Sequence, residues 1–171
     1  GQIKCYSTLI YYISGGERSG KSRYAIDLAL GMSDNPIYLA TSRKWDKDFE
    51  KRIERHQDER DESWETWEEE KQIGQFDISG RVVVLDCVTL WLTNWFLDLE
   101  QDIAACLHHG KQELEQLFAQ EATLIIISNE IGMGVHAESH MGRKFVELQG
   151  WMNQFIAKKA DRAIFMVSGL P

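Results

Sequence analysis

The chain has 171 residues, 43% of them hydrophobic, which is enough for one well-buried core and too few for two comfortable ones, so a single domain over residues 1–171 is expected. With 19 Lys and Arg against 27 Asp and Glu, the net charge of −8 excludes bulk attraction to a nucleic-acid backbone or an anionic membrane. Three scattered cysteines, Cys5, Cys87 and Cys106, form no Cys-x-x-Cys pair, which argues against a disulfide framework or zinc site and for a reducing, cytoplasmic setting. No run of about eighteen apolar residues reads as a membrane span, and the opening GQIKCYST has no signal-peptide pattern.

In chain order, apolar runs rich in β-branched and aromatic residues stand at 9–13, 37–40, 82–85, 124–127 and 163–167, each without polar alternation. They predict strands buried on both faces. Helical spacing occupies 24–30, roughly 46–62, 99–118 and 143–160; in the last, Phe145, Leu148, Met152, Phe155 and Ile156 recur at three- and four-residue intervals. Alternating strands and helices predict an α/β fold with a mostly parallel central sheet covered by helices in three layers. The acidic ESWETWEEEK reads as a solvated helix or loop face.

Directly after the first apolar run comes GGERSGKS, residues 15–22, whose spacing Gly15-x-x-x-x-Gly20-Lys21-Ser22 fits the phosphate-binding P-loop. A glycine-rich turn matching by chance is the competing reading. The strand before it and the helix-compatible RYAIDLAL after it weigh against chance. Glycines let consecutive N–H groups of Gly15, Gly16, Glu17, Arg18, Ser19 and Gly20 point at phosphate oxygens, and the following helix N-terminus adds partial positive charge. In such a loop Lys21 reaches the β- and γ-phosphates and the Ser22 hydroxyl coordinates Mg²⁺. A second metal or water anchor is expected at the end of another buried strand, and VVVLDC offers Asp86; the competing reading is a carboxylate capping the next helix. Farther on, IIISNEIGMG ends a strand with Asn129 and Glu130, making Glu130 another candidate for water contact or proton acceptance, with a turn-forming role equally open.

The segment KDFEKRIERHQDERDESWETWEE carries the second chemistry. On a helix, Phe49 and Ile53 make a narrow apolar stripe, while Arg52, His56 and Arg60 repeat every four residues along nearly one face. An exposed charged helix is the plainer explanation. Yet flanking positive charge disfavours protonation of the imidazole, keeping it nucleophilic, and guanidiniums stabilise charge developing on an attacked phosphate. A histidine so placed can form a phosphoramidate with a nucleotide.

Taken in order, GGERSGKS, YLATS, RIERHQDER followed by WETWE, VVVLDCVTLWLTN read as a strand, and SNEIGMG resemble the bifunctional adenosylcobinamide kinase/adenosylcobinamide-phosphate guanylyltransferase family of cobalamin assembly. The similarity runs from about residue 9 to the C-terminus. It implies a RecA-like P-loop fold, a homotrimer and two reactions. One phosphorylates the aminopropanol hydroxyl of adenosylcobinamide with ATP or GTP; the other transfers GMP from GTP to that phosphate, releasing pyrophosphate. By the same resemblance, residues 15–22 bind nucleotide phosphates, His56 takes the guanylyl group, Arg60 and Glu68 lie near the guanylylation site, and Thr41 and Ser42 lie near the nucleotide. Asp86 stands where many members have Glu, with a reach shorter by one methylene.

The departures fall elsewhere. After GMG the family continues with an apolar–Pro segment and an arginine, where this chain has VHAESHMGRKF, with Ala137 and His140 in those places and Arg143 retained. The Gly-Arg expected before the NQ pair is Gly150-Trp151-Met152-Asn153-Gln154. These changes bear on corrinoid or subunit contacts. His136 and His140 are four apart, but without a third ligand surface or interface histidines explain them better than a metal site does. The adjacent His108 and His109 point in different directions on a helix and carry no assignment. Two other readings stay open: guanylyltransferase activity alone, and a P-loop ATPase or regulatory nucleotide-binding protein acting on a protein partner.

Overall fold

The computed structural model describes residues 8–16, 18–43, 63–129 and 139–171. The helix expected over 46–62 lies outside them. Within them the chain runs β1 (Leu9–Gly15), α1 (Lys21–Leu30), β2 (Ile37–Ala40), β3 (Glu65–Glu68), a 3₁₀ turn (Ile73–Gln75), β4 (Val82–Asp86), α2 (Val88–Asp98), α3 (Ile103–Phe118), β5 (Thr123–Asn129), α4 (His140–Lys159) and β6 (Arg162–Met166). The six strands form one sheet in the order β3-β2-β4-β5-β1-β6, every pairing parallel. The strand that feeds the glycine loop is thus separated from β4 by β5 alone.

The continuous apolar runs are explained by cover on both faces. In β4, Val83 and Leu85 enter a core shared with α2, α3 and α4, while Val82 and Val84 enter a second core under α1. Ala25 and Ala29, both fully buried, let α1 lie close on its face. The other core is dominated by Trp91 of α2, fully buried with its indole N–H donating to the Lys71 carbonyl at 2.7 Å. No helix among the described residues is long and apolar enough to cross a membrane.

Four expectations change. Within ESWETWEEEK the structure has a strand, β3, not a helix or loop: it pairs in parallel with β2 and alternates half-buried Glu65 and Trp67 with exposed Thr66 and Glu68. Trp67 stacks on Phe76 at 4.9 Å. Acidic composition hid a period-two pattern that one edge strand satisfies. VVVLDCVTLWLTN is a strand only to Asp86 and is then α2. The helix expected from residue 99 starts at Ile103, because Glu100 and Gln101 take positive φ and Asp102 caps the new helix, its carboxylate accepting from the Ala105 N–H at 3.0 Å. β6 is not buried on both faces: Arg162, Ala163 and Phe165 are exposed, since the strand closes the sheet at its edge.

Candidate active site

Because every pairing is parallel, the strands all end at one edge of the sheet, and that carboxyl-terminal edge is where ligands bind. Along it stand Glu68 (β3), Thr41 and Ser42 (after β2), Asp86 (β4), Asn129 (β5) and the glycine loop (β1). At about 4.8 Å per strand, Asp86 lies roughly 10 Å across the sheet from β1, and Glu68 roughly 19 Å from it. The strand ends are staggered. Gly15 is level with Asn129, whereas Asp86 is level with Ile127, two residues farther back.

The glycine loop is curled by two left-handed positions, Arg18 (φ 56°) and Gly20 (φ 90°). A Cβ on Gly15 would come within 2.6 Å of the Met166 carbonyl oxygen and 2.8 Å of Ser19 Oγ, so no side chain fits there. Lys21 is buried, and its ammonium points into the loop, donating to the Gly16 carbonyl at 2.5 Å and to Ser19 Oγ at 3.3 Å. Helix α1 begins at Gly20 with no side-chain cap and no acidic residue in its first turn, which leaves its amide end and partial positive charge for an anion. Ser22, in that first turn, is half-buried. A buried cation, a helix N-terminus and a glycine curl together suit a polyphosphate chain.

Asp86 does not cap α2. The cap position is Cys87, without a side-chain bond, and Asp86 Oδ2 instead accepts from the Tyr38 hydroxyl. The carboxylate is thereby fixed at the strand end and half-buried. Thr41 ties the ends of β2 and β4 together: its hydroxyl donates to the Cys87 carbonyl at 2.8 Å and accepts from the Cys87 N–H at 3.1 Å. Burial, with the Asp86 carboxylate next in chain, pushes the Cys87 thiol up to about 12, against a small opposing effect of the Lys21 charge. Burial and nearby Asp102 push Cys106 up to about 11. Neither thiol is a nucleophile at neutral pH.

On the other flank, Ser42 and Glu68 line one open cavity of about 550 Å³ together with Glu69, Glu70, Lys71 and Gln72. Its walls are held from α2. Asn94, 2% exposed, donates through Nδ2 to the Thr41 carbonyl at 2.7 Å and the Glu70 carbonyl at 2.9 Å. Trp91 holds the Lys71 carbonyl, and Asp98 pairs with both Arg43 and Lys71. Arg43 also pairs with Glu70 at 2.8 Å. Between the flanks, Gln149 of α4, 2% exposed, donates to Thr89 Oγ1 at 2.8 Å and the Asn129 carbonyl at 2.7 Å, so the start of α2 and the end of β5 are held by one buried amide.

The structure therefore brings Lys21 and Ser22 into the loop, and Ser42 beside Glu68 in the cavity, with Asp86 between the two. Glu17, His56, Arg60, Glu130 and His136 lie outside the described residues. His140 is the first residue of α4, and among the described residues no group of three His, Cys, Asp or Glu could hold a metal. His109 stacks on Trp95 at 5.2 Å, a packing role. Tyr38, Asn94 and Gln149 were not singled out by sequence, although Tyr38 opens the quoted YLATS and Asn94 closes VVVLDCVTLWLTN.

The family model of cobinamide kinase/cobinamide phosphate guanyltransferase (CobU) matches residues 11–171. The chain is 38% identical over 166 residues to the bifunctional adenosylcobalamin biosynthesis protein CobP of Pseudomonas aeruginosa, covering 93% of each chain. It is 34% identical to CobU of Escherichia coli K12, covering 95% of this chain and 97% of that one, and 32% identical to CobU of Salmonella typhimurium over the same shares. Among solved structures, an ATPase domain aligns with a TM-score of 0.46 at 14% identity, covering 95% of this chain and 70% of that one. Beside a curled glycine loop ending in a buried lysine and an acid two strands away stands a family match across nearly the whole length: the chain belongs to the cobinamide kinase/cobinamide phosphate guanyltransferase family.

Proposed function

We propose that this chain phosphorylates adenosylcobinamide with ATP or GTP and then transfers GMP from GTP to adenosylcobinamide phosphate, releasing pyrophosphate. The observation that carries the reading is the glycine loop curled at Arg18 and Gly20, with Lys21 turned into it, in a chain matched by the family model over 11–171. In the first reaction the corrinoid hydroxyl oxygen forms a bond to the γ-phosphorus as the bond to the β-phosphate oxygen breaks. Backbone amides of Gly15, Gly16, Glu17, Arg18, Ser19 and Gly20 and the Lys21 ammonium hold the charge that moves onto the leaving diphosphate. Asp86, oriented by Tyr38, serves as metal ligand or as acceptor of the hydroxyl proton.

The hydroxyl of Ser22 and the carboxylate of Asp86 are hard oxygen donors suited to Mg²⁺, and Tyr38 fixes Asp86 through its Oδ2. Held by these two side chains, Mg²⁺ would supply neutralisation of phosphate charge. In the second reaction an imidazole nitrogen of His56 attacks the α-phosphorus and pyrophosphate leaves; a phosphate oxygen of the corrinoid then attacks the same phosphorus and frees the histidine. Arg60 and Glu68 flank that step, and Thr41 and Ser42 stand beside the nucleotide. A homotrimer in the cytoplasm belongs to the same reading: the free, buried Cys87 and Cys106 fit a reducing compartment, and sedimentation checks the trimer.

The test is incubation with α-labelled GTP and Mg²⁺, denaturation, and acid or base treatment of the protein-bound label. A phosphoramidate, acid-labile and base-stable, is expected in the wild type and absent in His56→Ala. Phosphorylation of cobinamide by γ-labelled ATP is expected to persist in that variant. Equal loss of both activities would overturn the separate nucleophile, and absence of any label would overturn the guanylyltransferase half.

A further inference from the structure

The chain leaves β6 at Met166 and makes a tight turn over 167–170, closed at both sides by Val167 N–H to the Leu170 carbonyl at 2.8 Å and Leu170 N–H to the Val167 carbonyl at 2.9 Å. Ser168 (φ 51°) and Gly169 (φ 81°) both adopt left-handed backbone there. The turn's own side chains bury little, since Val167 is 55% and Leu170 69% exposed. What it touches is the phosphate loop. The Gly169 N–H donates to the Ser19 carbonyl at 2.8 Å, two residues before Lys21. Gly169 Cα also sits 3.2 Å from where a Cβ on Gly20 would be, and the Met166 carbonyl fills the space a Cβ on Gly15 would need.

We infer that the turn at 167–170 is a working part of the phosphate-binding site, with Gly169 as a positioning residue that fixes the curl of Ser19–Gly20 for nucleotide. Curling a loop so that its amides converge on an anion turns its carbonyls outward, and each outward carbonyl needs a donor. For Ser19 that donor is the Gly169 amide. The left-handed conformation that aims this amide is open to glycine, tolerated by asparagine, strained for a β-branched residue and closed to proline, which also lacks the N–H. A Cβ on Gly169 itself meets nothing within 4 Å, so substitutions there test the backbone without a steric clash.

The inference rests on the proposed reading only through nucleotide binding at the loop, and its test needs neither corrinoid nor turnover. Mg·ATP and Mg·GTP are titrated calorimetrically into the full chain and its Gly169→Asn, Gly169→Val and Gly169→Pro variants, with the thermal midpoint of each measured without nucleotide. Gly169→Asn is expected to bind within about twofold of wild type, and the valine and proline variants about tenfold or more weaker, from the strain of a non-glycine left-handed residue. The nucleotide-free midpoints stay together, because the turn buries little. Unchanged affinity in a folded Gly169→Pro variant overturns the inference. So does a loss of affinity that tracks a falling midpoint and is shared by Gly169→Asn, since that pattern marks a merely structural turn. Should the proline variant not fold, Gly169→Val, which keeps the donor, decides by the same criteria. Wild-type protein that binds neither nucleotide refutes the nucleotide reading itself, a result separable from equal binding by all four proteins.

Discussion

The two flanks of the sheet edge are built in opposite ways. The phosphate loop is a backbone device: Gly15 and Gly20 admit no ordinary side chain, and the loop is braced by another backbone segment, the turn after β6. The cavity at β2 and β3 is a side-chain device: Trp91, Asn94 and Asp98, spaced three and four residues apart along α2, hold carbonyls and cations of segments 41–43 and 70–71. Damage to the first should be severe and fall on every phosphate-dependent step. Damage to the second should be graded and fall more on the reaction that uses the cavity.

The largest effect is expected for Gly15→Ala. The new methyl must displace the Met166 carbonyl or Ser19, moving the loop by a sizeable fraction of an ångström, and both reactions should slow by about a hundredfold. Parallel assays of phosphorylation and GMP transfer check this; loss of one alone would break the assignment of the loop to both. Asn94→Ala comes next. It leaves the buried Thr41 carbonyl and the partly buried Glu70 carbonyl without that donor, at a cost of about 2 kcal/mol in unfolding free energy. GMP transfer should fall more than phosphorylation does, and a uniform fall would show that the cavity serves the two reactions alike.

The smallest effect belongs to Asp98→Asn. Hydrogen bonds from Arg43 and Lys71 hold the Asp98 carboxyl at about 2. A carboxyl held below its unfolded value of about 3.9 contributes stability that is fully present above that pH and is lost as the pH falls through the folded value. The variant's unfolding curve should therefore be flatter in acid, with the difference from wild type fading between about pH 4 and 2. Near neutrality the change should be under about 1 kcal/mol, because the pair is partly exposed and screened by salt. A large difference at neutral pH would mean that the cavity wall depends on this charge network more than on Asn94.

The same contrast explains what could be read from the residues. The phosphate loop was legible because its parts are contiguous: apolar strand, glycine curl, lysine, helix. Asp86 was legible as the acid ending a buried run, though not its partner. The hydroxyl that orients it comes from Tyr38, 48 residues earlier, and β2 betrays nothing polar in its pattern. Likewise Asn94 reaches Thr41 across 53 positions and looks, in sequence, like the polar end of a run read as a strand. β3 was hidden for a different reason, since its acidic side chains resemble a solvated segment and only pairing with β2 makes it a strand.

By itself, then, the sequence determined five of the six strands, the helices α1, α3 and α4, the place of the glycine loop and the family, because periodicity, glycine placement and contiguous motifs are local properties of a chain. Tertiary structure decided which acid is held by which hydroxyl, that Ser42 and Glu68 share a cavity, and that the turn at 167–170 supports a loop nearly 150 residues before it. Those contacts follow from strand order. The order β3-β2-β4-β5-β1-β6 places β6 beside β1 and β2 beside β4, and hydrogen-bond partners are chosen by that adjacency in space, which no local pattern encodes.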